Sequence, residues 1–379
     1  MPLARHAATR FTQVFRSAMP STLTEADHHA TTVLTQRIRP SSRREAPFSS
    51  GERCVDRLVD GVDLPPGTTV VACGLAPGSE LIDVVDGVVL TSSPRGTFFR
   101  GELGVAERTL LHRGPADDHT ATYADGQVVF DGWLPLPDGR GARAGMLAIP
   151  VDALDTGSAR MLSEARDYVV GGRVLSDGLV RYVSQAGSAT VLELDVATGV
   201  TRRVVNGTAV GLSASWLYYC SVESEVRRIR RGGTEDQLLA ARTVPAPHCT
   251  AELRAVDEEG IYLTRRDAPY EIWRFGPDGR EDYIATAPEG PGGDFIVPPP
   301  ARLFLHGSFL YTLQAPSGTS SGDALARVSL SGGEHTFLVS GTDLGPPLFR
   351  DGAVYVSMTR DGLDGPVDGV VLRIEQSSL

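Results

Sequence analysis

One short pattern recurs along this chain and restricts its fold more than any other feature. A small acidic or polar residue and a Gly, followed by a β-branched or aromatic run, appear at Asp86-Gly87, Asp125-Gly126, Asp177-Gly178, Glu259-Gly260, His306-Gly307 and Asp351-Gly352. Ala214-Ser215, leading into Trp216, Leu217, Tyr218 and Tyr219, falls where a unit is due between the third and fourth of these. From 86 to 351 the seven positions advance by about 44 residues per step, the length of a four-stranded propeller blade. A unit of that kind cannot bury its apolar face alone and has to stack on its neighbours.

Each unit also repeats inside itself. An opening strand is followed by a variable loop, an alternating strand, a tight Gly turn and a further strand. Unit four turns at Gly232-Gly233, unit five at Asp278-Gly279 and unit six at Gly332-Gly333. Alternating apolar and polar residues around such pairs signal a hairpin, because these residues accept the positive φ that tight hairpin turns require. No window has a helical period, so the chain is expected to be all-β: a single β-propeller of seven four-stranded blades. Unit seven offers strands near 346–350, 353–358 and 369–374 and then runs out of chain. The strand-like run from Gly67 to Cys73 precedes unit one and belongs to no unit. Pairing it with 369–374 would complete the last blade and leave the ring without a bare edge.

Composition matters for what it excludes. All 36 basic residues are Arg, so chemistry built on a lysine nucleophile or a phosphate-loop lysine is ruled out. The net charge is −11 and no basic cluster stands out, which argues against a nucleic-acid partner. No stretch reaches the 18 or so consecutive apolar residues of a membrane helix. The first fifty residues differ from the rest, with seven Arg against three acidic residues and no apolar run longer than two. They are expected to be a disordered tail or sequence upstream of the true start, leaving 51–379 as the propeller.

The second strands of the units begin Val89-Leu-Thr-Ser, Val129-Phe-Asp-Gly, Tyr182-Val-Ser-Gln, Tyr218-Tyr-Cys-Ser, Tyr262-Leu-Thr-Arg, Tyr311-Thr-Leu-Gln and Tyr355-Val-Ser-Met. This series resembles degenerate copies of the Tyr-Trp-Thr-Asp (YWTD) repeat of low-density-lipoprotein-receptor-type propellers and their bacterial TolB-like relatives, over about 66–379. The resemblance implies a propeller that binds proteins or peptides, often outside the cytoplasm, and it supplies no catalytic residues.

In such a blade the connections between strands two and three, and from strand four to the next blade, share one face of the disc. Here they are the long ones, and long loops on a rigid scaffold are where binding residues gather. Trp133, Arg265, Arg266, Tyr270 and His248 are the candidates on this face, Trp, Tyr and Arg being the usual interface anchors. The expected function is that of a non-catalytic binding scaffold for a protein, peptide or small ligand, acting as a monomer without a cofactor. The alternative is a lactonase-like hydrolase or lyase with a metal or acid/base pair at the central channel. Asp117, Asp118, His119, Asp361 and Asp364 would then hold Ca²⁺ or Zn²⁺. Asp361, Asp364 and Asp368 miss the alternate spacing of a calcium loop, and Gly211-Leu-Ser213-Ala-Ser215 lacks the last Gly of a hydrolase elbow. It reads instead as the inner strand of blade four. The four cysteines pair plausibly as Cys54–Cys73 and Cys220–Cys249, which would suit an exported protein, whereas no secretory signal is legible.

Overall fold

The computed structural model describes Cys54 and residues 64–378, except 95, 114–120, 136–141, 153–158, 165–168, 177–178, 185–188, 222, 224, 242–252, 266, 288–301, 315–322, 333–334 and 363–364. Seven antiparallel sheets follow one another along the chain as the blades of a β-propeller. Blade one is β2 (Glu80–Val85), β3 (Val88–Ser92), β4 (Thr97–Glu102) and β5 (Arg108–Arg113). Blade two is β6 (Ala121–Ala124), β7 (Gln127–Pro135), β8 (Ala142–Pro150) and β9 (Arg160–Glu164). Blade three is β10 (Val169–Ser176), β11 (Leu179–Ser184), β12 (Thr190–Asp195) and β13 (Thr201–Asn206). Blade four is β14 (Val210–Leu212), β15 (Trp216–Cys220), β16 (Glu225–Arg230) and β17 (Asp236–Ala241), with Gly211 in the inner strand as the sequence suggested.

Blade five has β18 (Ile261–Thr264), β19 (Glu271–Phe275) and β20 (Glu281–Thr286). Its innermost strand is reduced to a bridge between Val256 and Ile261 and the Tyr262 N–H donated to the Ala255 carbonyl at 2.9 Å. Blade six is β21 (Arg302–His306), β22 (Phe309–Gln314), β23 (Asp323–Ser329) and β24 (Thr336–Gly341). Blade seven orders β25 (Leu348–Arg350), β26 (Ala353–Gly362) and β27 (Gly365–Glu375), and its outer strand is β1 (Thr68–Leu75).

The ring therefore closes as the sequence required, with Thr68 opposite Ile374 and Leu75 opposite Gly369. A disulfide joins Cys54 to Cys73 of the closing strand, and the Cys54 N–H donates to the Gly104 carbonyl of blade one at 3.0 Å. On the inner side of the same junction Arg350 of β25 donates Nε to Asp83 Oδ1 at 3.1 Å and Nη2 to Asp83 Oδ2 at 2.9 Å, a two-point clamp onto β2. Cys220 is also disulfide-bonded, and its expected partner Cys249 lies outside the described residues, as does the expected tail 1–50.

Among the described residues the apolar core is divided into seven clusters, one at each junction between neighbouring blades, because each sheet has two faces and both must be covered. Leu90 and Phe98 meet Val128 and Phe130 between blades one and two. Tyr218 and Val226 meet Ile261 and Phe275 between blades four and five. At the junction of blades three and four the cluster holds five buried residues, Val183, Val191, Val210, Leu217 and Tyr219, fewer than any other junction among the described residues.

The recurring Tyr of the second strands is buried, at 5% exposure or less in blades three to seven. From blade four onward it faces an Arg on strand three: Tyr218 opposite Arg228, Tyr262 opposite Arg274, Tyr311 opposite Arg327 and Tyr355 opposite Arg373. Arg228 donates Nη1 to the Tyr218 hydroxyl at 3.3 Å, and Arg373 donates Nε to the Tyr355 hydroxyl at 3.1 Å. In blades four and six a ring two residues before the Tyr carries the guanidinium, Trp216 at 4.1 Å from Arg228 and Phe309 at 4.5 Å from Arg327. A planar guanidinium can stack and donate in this way; an ammonium cannot.

Candidate functional site

Two features of the loop-bearing face were mistaken for loops in the sequence. Beyond Phe130, β7 has no partner on β6, and before Gly145, β8 has none on β9. Residues 131–135 and 142–144 pair with each other, the two-stranded continuation of blade two, with Trp133 facing Ala144 across it. In blade seven β26 and β27 likewise continue past their neighbours, pairing Arg360 with Asp368 and Asp361 with Pro366. The intervening blade one closes its corresponding connection with a tight turn, in which the Gly96 N–H donates to the Ser93 carbonyl at 3.0 Å. Two such extensions thus belong to the same face, in the blades on either side of blade one.

Trp133 is 45% exposed, an unusual position for an indole on a paired strand. Asp361 belongs to the other extension by its backbone. Arg265 and Tyr270 lie in blade five, three blades from Trp133 around a ring of seven, the greatest separation such a ring allows. A ligand that touches Trp133 together with Arg265 or Tyr270 therefore has to span three blades of the ring. Arg265 is also committed locally: it donates Nε to Asp267 Oδ1 at 3.3 Å and Nη1 to Glu281 Oε2 at 3.2 Å, and lies 5.0 Å above the Trp273 ring. Trp273 meets Tyr283 edge-on at 5.5 Å, and Tyr283 is 52% exposed on the outer strand. The sequence reading missed Tyr283, although its alternation in Glu281–Thr286 marks it as an outward position. Arg266, His248, Asp117, Asp118, His119 and Asp364 lie outside the described residues. Among the described residues no three His, Cys, Asp or Glu side chains converge to hold a metal ion, and no helix is long and apolar enough to cross a membrane.

A second group was legible only as hairpin in the sequence. Arg202-Arg203 and the run Arg227-Arg228-Ile229-Arg230-Arg231 concentrate positive charge in units three and four of an acidic chain. Arg202, Arg203, Arg230 and Arg231 line a recess between those two blades on the face of the short turns.

No protein-family model matches the chain. No curated protein matches it in sequence. Among solved structures it resembles the computationally designed Ika8 protein, at 13% identity and a TM-score of 0.50, covering 81% of this chain and 99% of that one. It also resembles a prolyl endopeptidase at 13% identity and a TM-score of 0.50, over 82% of this chain but only 48% of the peptidase, so it spans about half of that enzyme. The WD40 β-propeller domain of Doa1 aligns at 12% identity and a TM-score of 0.48, over 83% of this chain and 99% of that domain. At these identities the likeness is one of fold, and the fold is a seven-bladed β-propeller.

Proposed function

We propose that the protein is a non-catalytic binding propeller that holds an extended segment of a partner protein or peptide on the face that carries the two extensions. The observation that carries this reading is Trp133, a half-exposed indole on a paired strand rather than a loop tip. A strand-borne Trp loses little conformational entropy on binding, and buried Trp side chains dominate the energetics of most interfaces. Among the described residues β6 pairs with β7 only as far as Phe130, and an extended peptide can add to a strand edge beyond Gly132 by main-chain hydrogen bonds. Arg266 and His248 belong to the same predicted face and are proposed as further contacts. The resemblance of the second strands to YWTD and TolB-like repeats points to the same class of ligand. The Cys54–Cys73 and Cys220 disulfides favour an oxidising compartment, hence an exported protein.

The test is selection of binding peptides from a displayed library against the full chain, followed by affinity measurements on variants. Trp133→Ala is expected to weaken the selected peptides by about 30-fold, the effect of losing one hot-spot residue, while Tyr283→Ala leaves them unchanged. Equal affinity for wild type and Trp133→Ala would overturn the assignment.

A further inference from the structure

The recess between blades three and four has a volume of about 340 Å³ and opens on the face opposite the two extensions. Its charged lining is Arg181 of β11, Arg202 and Arg203 of β13, Arg230 at the end of β16, Arg231 in the turn that follows, and a lone acid, Glu193 of β12. Five cations and one anion line the recess, with Glu235 beside Arg230 just outside it, in a chain whose net charge is −11.

Arg181 is at the centre. Its side chain is 3% exposed, and Nη2 pairs with Glu193 Oε2 at 2.5 Å. Nε and Nη1 are both buried with no hydrogen-bond partner among the described residues. Those atoms carry three of the five guanidinium hydrogens, and buried charged donors are very seldom left unmatched. Glu193 cannot supply the missing acceptor, because Oε2 faces Arg181 and Oε1 already serves Arg202. Burial works against the charge of Arg181, Glu193 favours it, and Arg231 and Arg202 add to the opposition. Of the remaining cations, Arg202 shares Glu193 and Arg203 donates to Asn206 Oδ1. Arg230 lies 3.6 Å from Glu235 with both side chains about half exposed, and Arg231 donates Nη1 to the carbonyl oxygens of Ser213 and Ala214 at 3.4 and 3.0 Å.

The other wall is apolar, formed in part by Leu217 and Ile229. Among the described residues the junction buries Val183, Val191, Val210, Leu217 and Tyr219, with Val204, Leu212 and Ile229 packed on them at partial burial, Val204 and Ile229 along the recess. A cationic floor, unmatched buried donors and an apolar wall together describe a site for an organic anion. The excess of cations favours a dianion over a single carboxylate, and the volume exceeds what a bare ion needs.

We propose that this recess binds a small organic phosphate monoester, the Nε–H and Nη1–H groups of Arg181 donating to its phosphate oxygens and Leu217 and Ile229 covering its organic part. The site is on the opposite face from the peptide-binding extension and does not depend on it.

Calorimetric titration of the full chain with phenyl phosphate, inorganic phosphate and benzoate tests the assignment. Phenyl phosphate is expected to bind at least about tenfold more tightly than either of the others, with an affinity that falls as salt is added. Arg181→Gln is expected to abolish binding. Because that change disturbs the Glu193 pair, Arg230→Gln on the exposed rim serves as the second variant, and it is expected to weaken binding several-fold with the melting temperature unchanged. Failure of phenyl phosphate to bind wild type at about 1 mM would overturn the proposal. So would binding that neither variant alters, or benzoate or inorganic phosphate binding as tightly as the ester.

Discussion

The disulfide at the ring closure makes a quantitative prediction. Cys54 and Cys73 are 19 residues apart, and both are fully buried in the cluster joining blades six and seven. Opening a loop of that length releases about 3 kcal/mol of chain entropy to the unfolded state. Unfolding residues 64–378 carries an entropy of about 0.65 kcal/mol/K, at about 2 cal/mol/K for each residue. Losing the crosslink alone should therefore lower the melting temperature by about 5 °C. The cleanest assay uses a Cys220→Ala/Cys249→Ala background, where the Cys54–Cys73 bond is the only one present. That protein is unfolded and refolded with and without reductant, then compared by calorimetry. No side-chain atom is removed in the comparison, so no cavity term enters. Melting points within about 1 °C of each other would refute the reasoning, since the crosslink would then constrain nothing that unfolding releases.

Three further outcomes follow from the same structure. Asp83→Asn should weaken the clamp between blades one and seven by about 2 kcal/mol, because Arg350, itself half exposed, loses a two-point ionic partner that is buried; the urea midpoint reads it, and no shift would contradict the pairing. Arg228→Lys should cost about 1 to 2 kcal/mol by the same measurement, since Lys keeps the charge but cannot lie on Trp216 while donating to Tyr218 and Gln237. Burial holds the Tyr182, Tyr218, Tyr262 and Tyr311 phenols above their ordinary range and, with Asp236 beside it, raises Tyr219 to about 12. An unfolded phenol ionises near pH 10, before the folded one. Stability should then be complete below about pH 10 and fall progressively toward pH 12 as the unfolded state loses its protons first. Phenols that ionise near pH 10 with the ring still folded would contradict this.

Much of the fold was legible because its turns depend on local chemistry. Asp86-Gly87, Asp125-Gly126 and Asp351-Gly352 each place both residues at positive φ, the geometry that joins strands one and two. Glu259-Gly260 looks the same in sequence but answers a different demand. Gly260 is not among the positive-φ glycines; a side chain there would lie 2.3 Å from the Phe275 carbonyl oxygen, so close strand approach fixes the residue. The closing strand was legible because unit seven lacked a fourth strand and β1 lacked a unit. The lengths of β7 and β26 were not legible, because Trp133-Leu134-Pro135 and Asp361-Gly362 carry the Pro, Gly and Asp that mark loops. Their pairing comes from a partner strand and not from their own propensity. Site residues were legible only as chemical types. Arg265 had the right type, yet its partners Asp267, Glu281 and Trp273 claim it, and its distance from Trp133 is set by counting blades.

The absence of lysine acquires a positive meaning once the arginines are placed. A lysine-free composition excludes some chemistry and by itself assigns none. In the structure, arginines recur where a flat, five-donor cation is needed. They couple strands two and three beside the buried tyrosines, and they close the ring on Asp83. In both tasks the guanidinium ends on a named acceptor: Arg228 on Gln237 at 2.9 Å, Arg274 on Asp282 at 2.8 Å and Arg350 on Asp83 at 2.9 Å. Arg181 departs from that rule, being as deeply buried as any of them while two of its three nitrogens meet no acceptor among the described residues. A ring that elsewhere matches its buried cations would gain stability by replacing this one with an aliphatic residue, as buried ion pairs generally allow. A buried cation with open donors, set beside four more arginines against the apolar Leu217 and Ile229, is the arrangement that a site for an external anion requires.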